Sequence, residues 1–286
     1  MMSASFRQSF HRLLAGSGAG PVFVHSDAFR VASLVERNRD KKAYLASHLR
    51  LIEEGAGDRG LWFPTFNYDF PRTRRFDVAT SQSELGPITE HFRVEVAEWR
   101  TSIPVFSVAG TGPEPATAWG HDTDPFGTQS IFARLVEEDG VILYYGDTFH
   151  FNTIVHYAER SVGGGPRYRY DKIFPGTVTM RDGTLVDGFL RYHVRPLGSG
   201  LDYDWPRLLE EALEAGACVR LDGYPQLLAS SARALTALWE RDLRHDPLAL
   251  LDERSRTWVA AALEQAGRRF EIEDFEAPDA SVPGHR

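Results

Sequence analysis

Val141-Ile142-Leu143-Tyr144-Tyr145 is an unbroken apolar run. It leads through Gly146-Asp147-Thr148 into Asn152-Thr153-Ile154-Val155-His156-Tyr157-Ala158-Glu159. A short continuous apolar run rich in β-branched and aromatic residues reads as a strand buried on both faces, and the second segment reads as a helix with Asn152 as its expected cap. Just upstream lie a polar loop, Gly120-His121-Asp122-Thr123-Asp124-Pro125-Phe126-Gly127, a helical stretch from Ser130 to Leu135 and an acidic turn from Glu137 to Gly140. Loop, buried strand and capped helix in this order predict α/β layering, with chemistry at the junctions.

The spacing of Thr153, His156 and Glu159, at i, i+3 and i+6, puts all three near one face of the first helical turns. A helix N-terminus disfavours an imidazolium and keeps His156 neutral near pH 7, able to accept a proton. Spacing alone leaves this role open against simple core packing. His121, on a loop restricted by Pro125, is the other candidate base, open against an exposed loop histidine. Asp69 and Glu90 lie beside the ends of other predicted elements and are the carboxylates expected to orient an imidazole.

The chain has 286 residues, a formal net charge of −8 and one cysteine, Cys218. That length allows one large α/β domain. The negative balance argues against general binding of nucleic acid or anionic membranes, which need a cationic face. A lone cysteine among Ala and Gly neighbours reads as a buried structural thiol and excludes an internal disulfide or a cysteine-rich metal site. No apolar run is long enough for a membrane span and no secretory segment opens the chain, so a cytoplasmic protein is expected.

Outward from the centre, Phe6 to Leu14 reads as a short peripheral helix in a flexible lead-in over residues 1–20. Residues 21–270 form one domain, and 271–286 an acidic, mobile tail. Pro21 to Asp27 is a short strand turning into a helix capped by Ser26 or Asp27, whose free N–H groups would suit a phosphate. A helix from Lys41 to Glu54 and a strand from Gly60 to Phe66 follow. The loop Asn67 to Val78 carries Tyr68, Asp69, Arg72, Arg74 and Arg75, too aromatic and charged for a mere connector. A helix over Ser83–Arg93, a strand over Val105–Gly110, an antiparallel meander from Tyr168 to Arg195 and helices over Trp205–Glu214 and Ala229–Leu243 complete the reading. No phosphate loop, dinucleotide fingerprint, nucleophile elbow or zinc-protease motif is present. Close metal-ligand spacing is also absent, so no metal is expected.

Several of these pieces, taken in order, resemble the aminoglycoside 3-N-acetyltransferase family. They are Val24-His25-Ser26, Pro64-Thr65, Gly86 with Glu90, Arg100-Thr101 with Pro104 and Ala109-Gly110, Pro125-Phe126-Gly127 with Ser130, and Thr153-x-x-His156-x-Ala158-Glu159. The resemblance implies a single-domain layered α/β fold with a central mixed β-sheet flanked by helices. It also implies direct acyl transfer from acetyl-coenzyme A to an amino sugar. By motif His156 matches the general base, Asp69 and Glu90 the assisting carboxylates, and His25, Ser26, Asp27, Arg100, Ser107 and Thr153 the coenzyme side. Tyr68, Arg72, Arg74, Arg75, His121, Glu159 and His193 are the expected acceptor contacts. The chain departs from the family pattern at Ile103-Pro104, where antibiotic-modifying members carry His-Pro, and at Arg191-Tyr192-His193, where an acidic pair is expected. Arg72, Arg74 and Arg75 place positive charge beside the Asp69 loop and favour a nucleotide-linked amino sugar, as in sugar and polysaccharide biosynthesis. An aminoglycoside, with antibiotic resistance as the function, and a noncatalytic binder of coenzyme A or a sugar nucleotide are the alternatives. The partners expected are small molecules, with a homodimer allowed.

Overall fold

The computed structural model describes residues 3–117, 119–196 and 198–276. In chain order the elements are α1 (Ala4–Gly16), β1 (Val22–Ser26), α2 (Lys41–Ala56), β2 (Leu61–Pro64), α3 (Phe70–Thr73), β3 (Arg75–Asp77), α4 (Pro87–Glu95), β4 (Trp99–Arg100) and β5 (Val108–Gly110). They continue with α5 (Ile131–Glu137), β6 (Val141–Tyr145), α6 (Ile154–Ser161), β7 (Tyr170–Thr179), β8 (Leu185–Val194), α7 (Trp205–Glu214), β9 (Cys218–Leu221), β10 (Tyr224–Ser231), α8 (Ala232–His245), α9 (Glu253–Ala266) and α10 (Glu273–Glu276).

β1 and β6 are the centre of a seven-stranded mixed sheet in the order β4-β5-β2-β1-β6-β10-β9. They run parallel from Val22↔Val141 to Ser26↔Tyr145, and every residue of β6 is buried. Side chains alternate across a strand, so Val22, Val24, Val141, Leu143 and Tyr145 enter one core while Phe23, Ile142 and Tyr144 enter the other. Helices α1, α2 and α4 cover the first face. The second carries α5 to α8 and a three-stranded sheet, β3-β7-β8. The layered α/β fold with a helix-flanked mixed central sheet is therefore as the sequence predicted.

Both central strands stop at one place. Asp27 N–H donates to the Tyr145 carbonyl at 2.9 Å, and Gly146 turns away with φ 123°. A Cβ there would sit 2.9 Å from the Asp27 carbonyl oxygen, so the glycine is required by both conformation and space.

Several local expectations are corrected. The helix expected over Phe6–Leu14 is present as α1, but it is not peripheral: Phe6, Phe10, Leu13 and Leu14 are buried against α2 and the sheet. No α-helix follows β1, because Asp27 caps a turn, donated to by the N–H groups of Phe29 and Arg30, and α2 begins only at Lys41. Asn152 does not cap α6; its amide donates to Tyr144 Oη at 2.5 Å, and Thr153 occupies the cap position. The strand expected from Val105 shrinks to Val108–Gly110. The helix expected from Ala229 begins at Ala232, with Ser231 as its cap, since Tyr224–Ser231 is a strand paired to β6. The tail beyond residue 270 docks at least through Glu276: Phe275 stacks on Tyr170 at 5.7 Å and Glu276 pairs with Lys172. Residues 277–286 of the expected tail lie outside the described residues. No helix among the described residues is long and apolar enough to cross a membrane.

Candidate functional site

A cavity of about 870 Å³ lies between the carboxyl ends of β1 and β2, the start of α6 and the inner face of the small sheet. His25, Ser26 and Pro64 come from the strand ends, Thr89 from α4, and Asn152, Thr153 and His156 from the start of α6. Alternate residues of β7 and β8, including Phe174 and Tyr192, form the facing wall. Between them a tight turn closes with Phe106 N–H donating to the Pro104 carbonyl at 2.8 Å. It holds Val105 at φ 66°, a costly conformation for a β-branched residue, and brings Val105 and Phe106 to the cavity.

His156 sits one turn into α6, with its ring edge against Phe126 at 5.1 Å between centroids. Its Nδ1 faces a buried polar cluster: Tyr203 Oη at 3.2 Å, Arg169 Nη2 at 3.2 Å and Glu159 Oε2 at 3.6 Å. The other nitrogen, Nε2, is on the opposite side of the ring, and the side chain keeps 20% exposure. Below it Glu159 is fully enclosed. Tyr168 Oη donates to one carboxylate oxygen at 2.5 Å, Tyr203 Oη donates to the other at 2.9 Å, and Arg169 Nε lies 2.8 Å away. Arg169 also donates to Tyr203 Oη at 2.6 Å and to the His193 carbonyl at 3.0 Å.

These contacts set the charge states. Burial pushes the His156 imidazolium down to about 4, outweighing the pull of Glu159 in the other direction, so the ring is neutral at pH 7. Burial alone would raise Glu159, but the Arg169 guanidinium and the donors from His156 and Tyr168 hold it near 2. Arg169, despite its own burial, is kept charged by Glu159. The result is a desolvated carboxylate–guanidinium pair under a neutral imidazole.

The other predicted site residues divide into three groups. His25, Ser26, Thr153 and Tyr68 line the same cavity as His156. His25 is buried and burial pushes it down to about 3; the Ser26 hydroxyl is 3.4 Å from that of Thr89. The second group is structural. Arg100 is buried, donates to the carbonyls of Thr65, Val78 and Ser81, and shares contacts at 3.1 Å with the hydroxyls of Thr65 and Ser107. It ties β2, β4 and the 78–81 loop together, away from the cavity lining. Glu159 is not an acceptor contact either, since it lies wholly beneath His156.

The third group is elsewhere. Asp69 pairs with Arg72 at 2.6 Å on the surface, and Glu90 pairs with Arg93 at 2.7 Å; His156 draws its carboxylate from Glu159 instead. Asp27 serves its own turn. Arg74 lies over Phe174 at 5.6 Å, Arg75 is exposed on β3, and His121 is exposed near Phe189. His193 points its Nδ1 to Asp171 at 2.9 Å, with its other edge against Gly165. Arg169, Tyr168 and Tyr203 were not singled out by sequence. Among the described residues no group of three or more His, Cys, Asp or Glu side chains converges as a metal site.

The profile of the aminoglycoside 3-N-acetyltransferases matches residues 59–220, which span β2 through β9 and include the whole His156 cluster. The chain belongs to the aminoglycoside 3-N-acetyltransferase family. It is thus a member of a family of N-acetyltransferases, and fold comparison agrees. The structure of AAC-IIIb in binary complex with CoASH superposes with a TM-score of 0.64 at 20% identity, covering 84% of this chain and 96% of that one. Aminoglycoside acetyltransferase AAC(3)-Xa gives 0.62 at 20% identity, covering 85% and 93%. The YokD protein from Bacillus subtilis gives 0.60 at 12% identity, covering 84% and 94%. At such identities the likeness concerns the fold. No curated protein matches the sequence.

Proposed function

We propose that this family member transfers an acetyl group directly from acetyl-coenzyme A to a primary amine, with His156 as general base. The observation that carries the reading is the neutral imidazole on the cavity wall, backed by Glu159 and Tyr203. In the tautomer with its proton on Nδ1, the ring donates to Tyr203 Oη, which in turn donates to Glu159. That tautomer leaves the Nε2 lone pair free toward the cavity. The competing tautomer, with Arg169 donating to Nδ1, puts the proton on Nε2 and disables the base.

The chemistry follows from this tautomer. His156 Nε2 takes a proton from the amine as it attacks the thioester carbonyl, a C–N bond forms, and the oxyanion collapses to break the C–S bond. The imidazolium, held by Glu159 through Tyr203, returns the proton to the departing thiolate. Thr153, one turn before His156 and on the same cavity, is the donor proposed for the oxyanion. His25 and Ser26 are proposed to contact the coenzyme arm.

The nucleotide-linked amino sugar expected from the sequence relied on Arg72, Arg74 and Arg75, none of which lines the cavity. The reading is therefore supported at the level of an amine. The test is amine-dependent thiol release from acetyl-coenzyme A together with mass analysis of the amine. A gain of one acetyl group is expected; binding of acetyl-coenzyme A with no consumption by any amine would instead favour the noncatalytic reading.

A further inference from the structure

The charge and polarity of the cavity wall narrow the acceptor, on the basis of the transfer reading above. β7 and β8 pair with Phe174 opposite Leu190, and Lys172 opposite Tyr192. Those four side chains share one face and line the cavity. Phe66 and Phe106 face them, ring edge to ring at 5.3 Å, and Phe106 approaches Tyr192 at 4.8 Å. Much of this side of the cavity is thus walled by rings.

The charged groups of the wall are nearly neutralised among themselves. Lys172 is paired with Glu276, and Arg195 lies 3.9 Å from Asp202. The face of Phe174, otherwise a cation–π site, already has Lys172 at 5.4 Å and Arg74 at 5.6 Å. Among the described residues lining the cavity, Glu84 is the one carboxylate without a cationic partner; it accepts the Tyr68 N–H at 2.7 Å. One uncompensated negative charge matches one ammonium. With Lys172 and Arg195 each paired, a ligand with several ammonium groups would lose their hydration against aromatic rings and find one unpaired carboxylate, Glu84, in return.

We infer that the acceptor is a monoamine with an aromatic body, its ring packed against Phe174 and Tyr192 and its ammonium drawn by Glu84; the ammonium gives one proton to solvent to become the free amine, and His156 takes the second as the C–N bond forms. A polyamino sugar fits the same wall less well, because its further ammonium groups have no unpaired carboxylate there.

The test compares 2-phenylethylamine with kanamycin as acceptors, by thiol release at fixed acetyl-coenzyme A. Burial of one ring predicts kcat/KM higher for 2-phenylethylamine by at least about tenfold. Lys172→Glu, which adds one carboxylate and releases Glu276, is expected to move the ratio toward kanamycin by about tenfold. Kanamycin turned over equally well or better by the parent protein overturns the inference and leaves acyl transfer standing. Failure of 2-phenylethylamine alone, with some other amine acetylated, overturns the inference only; no thiol release with any amine, while calorimetry shows acetyl-coenzyme A bound, overturns both.

Discussion

Replacing Tyr203 by Phe removes one oxygen from beneath His156 and leaves Arg169 as the nearest polar neighbour of Nδ1. The imidazole then favours the tautomer with its proton on Nε2. Tyr203→Phe is expected to lower kcat by about 10- to 100-fold with a smaller change in KM, measured by steady-state thiol release. Glu159→Gln acts differently, because it leaves the enclosed Arg169 cation without a counter-charge. Breaking one side of a buried ion pair costs about 3–5 kcal/mol, so this variant should lose that much in urea denaturation as well as activity. At this scale the sequence was only half legible. Thr153, His156 and Glu159 share one helix, so helical spacing brought them together correctly. Arg169 and Tyr203 are 13 and 47 positions from His156, and no local period connects a helix residue with one at a strand start or in a loop. Asp69 and Glu90 failed as partners because each has an arginine three residues away, Arg72 and Arg93, and pairing at i, i+3, exposed for Asp69 and half-buried for Glu90, satisfied them locally.

At the level of elements, the fold depends on β1 and β6 ending together so that α6 starts at the cavity. Gly146→Ala tests that junction. The added Cβ meets Asp27 backbone atoms, and the residue also loses its permissive φ, so a loss of about 1–3 kcal/mol is expected in thermal or chemical unfolding, together with reduced activity. An unchanged midpoint would show that the turn adapts freely. Strands β1, β2 and β6 were legible because they are buried on both faces and read as apolar runs. β9 and β10 were not. Cys218–Leu221 is short with an exposed middle, and β10 carries a register shift between Tyr224 and Leu228 before a Leu-Leu-Ala run that merges with the helical pattern of α8. β4 has two residues and owes its existence to β5, a long-range pairing with no local signature.

Over the whole molecule, buried histidines couple stability to acid. Burial pushes His25 to about 3 and His48 and His156 to about 4, all below the ordinary value near 6.5. Between these values the unfolded chain binds protons that the folded chain does not. Their contribution is therefore complete above about pH 6.5 and is lost as the pH falls through that window toward 4. Denaturation at a series of pH values should show stability falling across it, with a slope approaching about 1.4 kcal/mol per pH unit for each histidine. A flat profile from pH 7 to 4.5 would contradict this burial. The acid side of the pH–rate profile, from His156, is expected near 4 for the same reason. The global architecture was within reach of the sequence because alternating apolar runs and capped helices specify layering. The small β3-β7-β8 sheet set against the main one, which makes the cavity, arises from pairing over about a hundred positions between Arg75 and Thr177.

The most direct test of the proposed chemistry is the rate of thiol release by His156→Gln, compared with the parent protein at pH 7.5 on the same amine and saturating acetyl-coenzyme A. Glutamine keeps the helix and approximates the ring's polarity but cannot take a proton. A fall in kcat of at least about 100-fold, with the circular dichroism spectrum unchanged, is the result expected. Release at the parental rate would show that His156 is not the base.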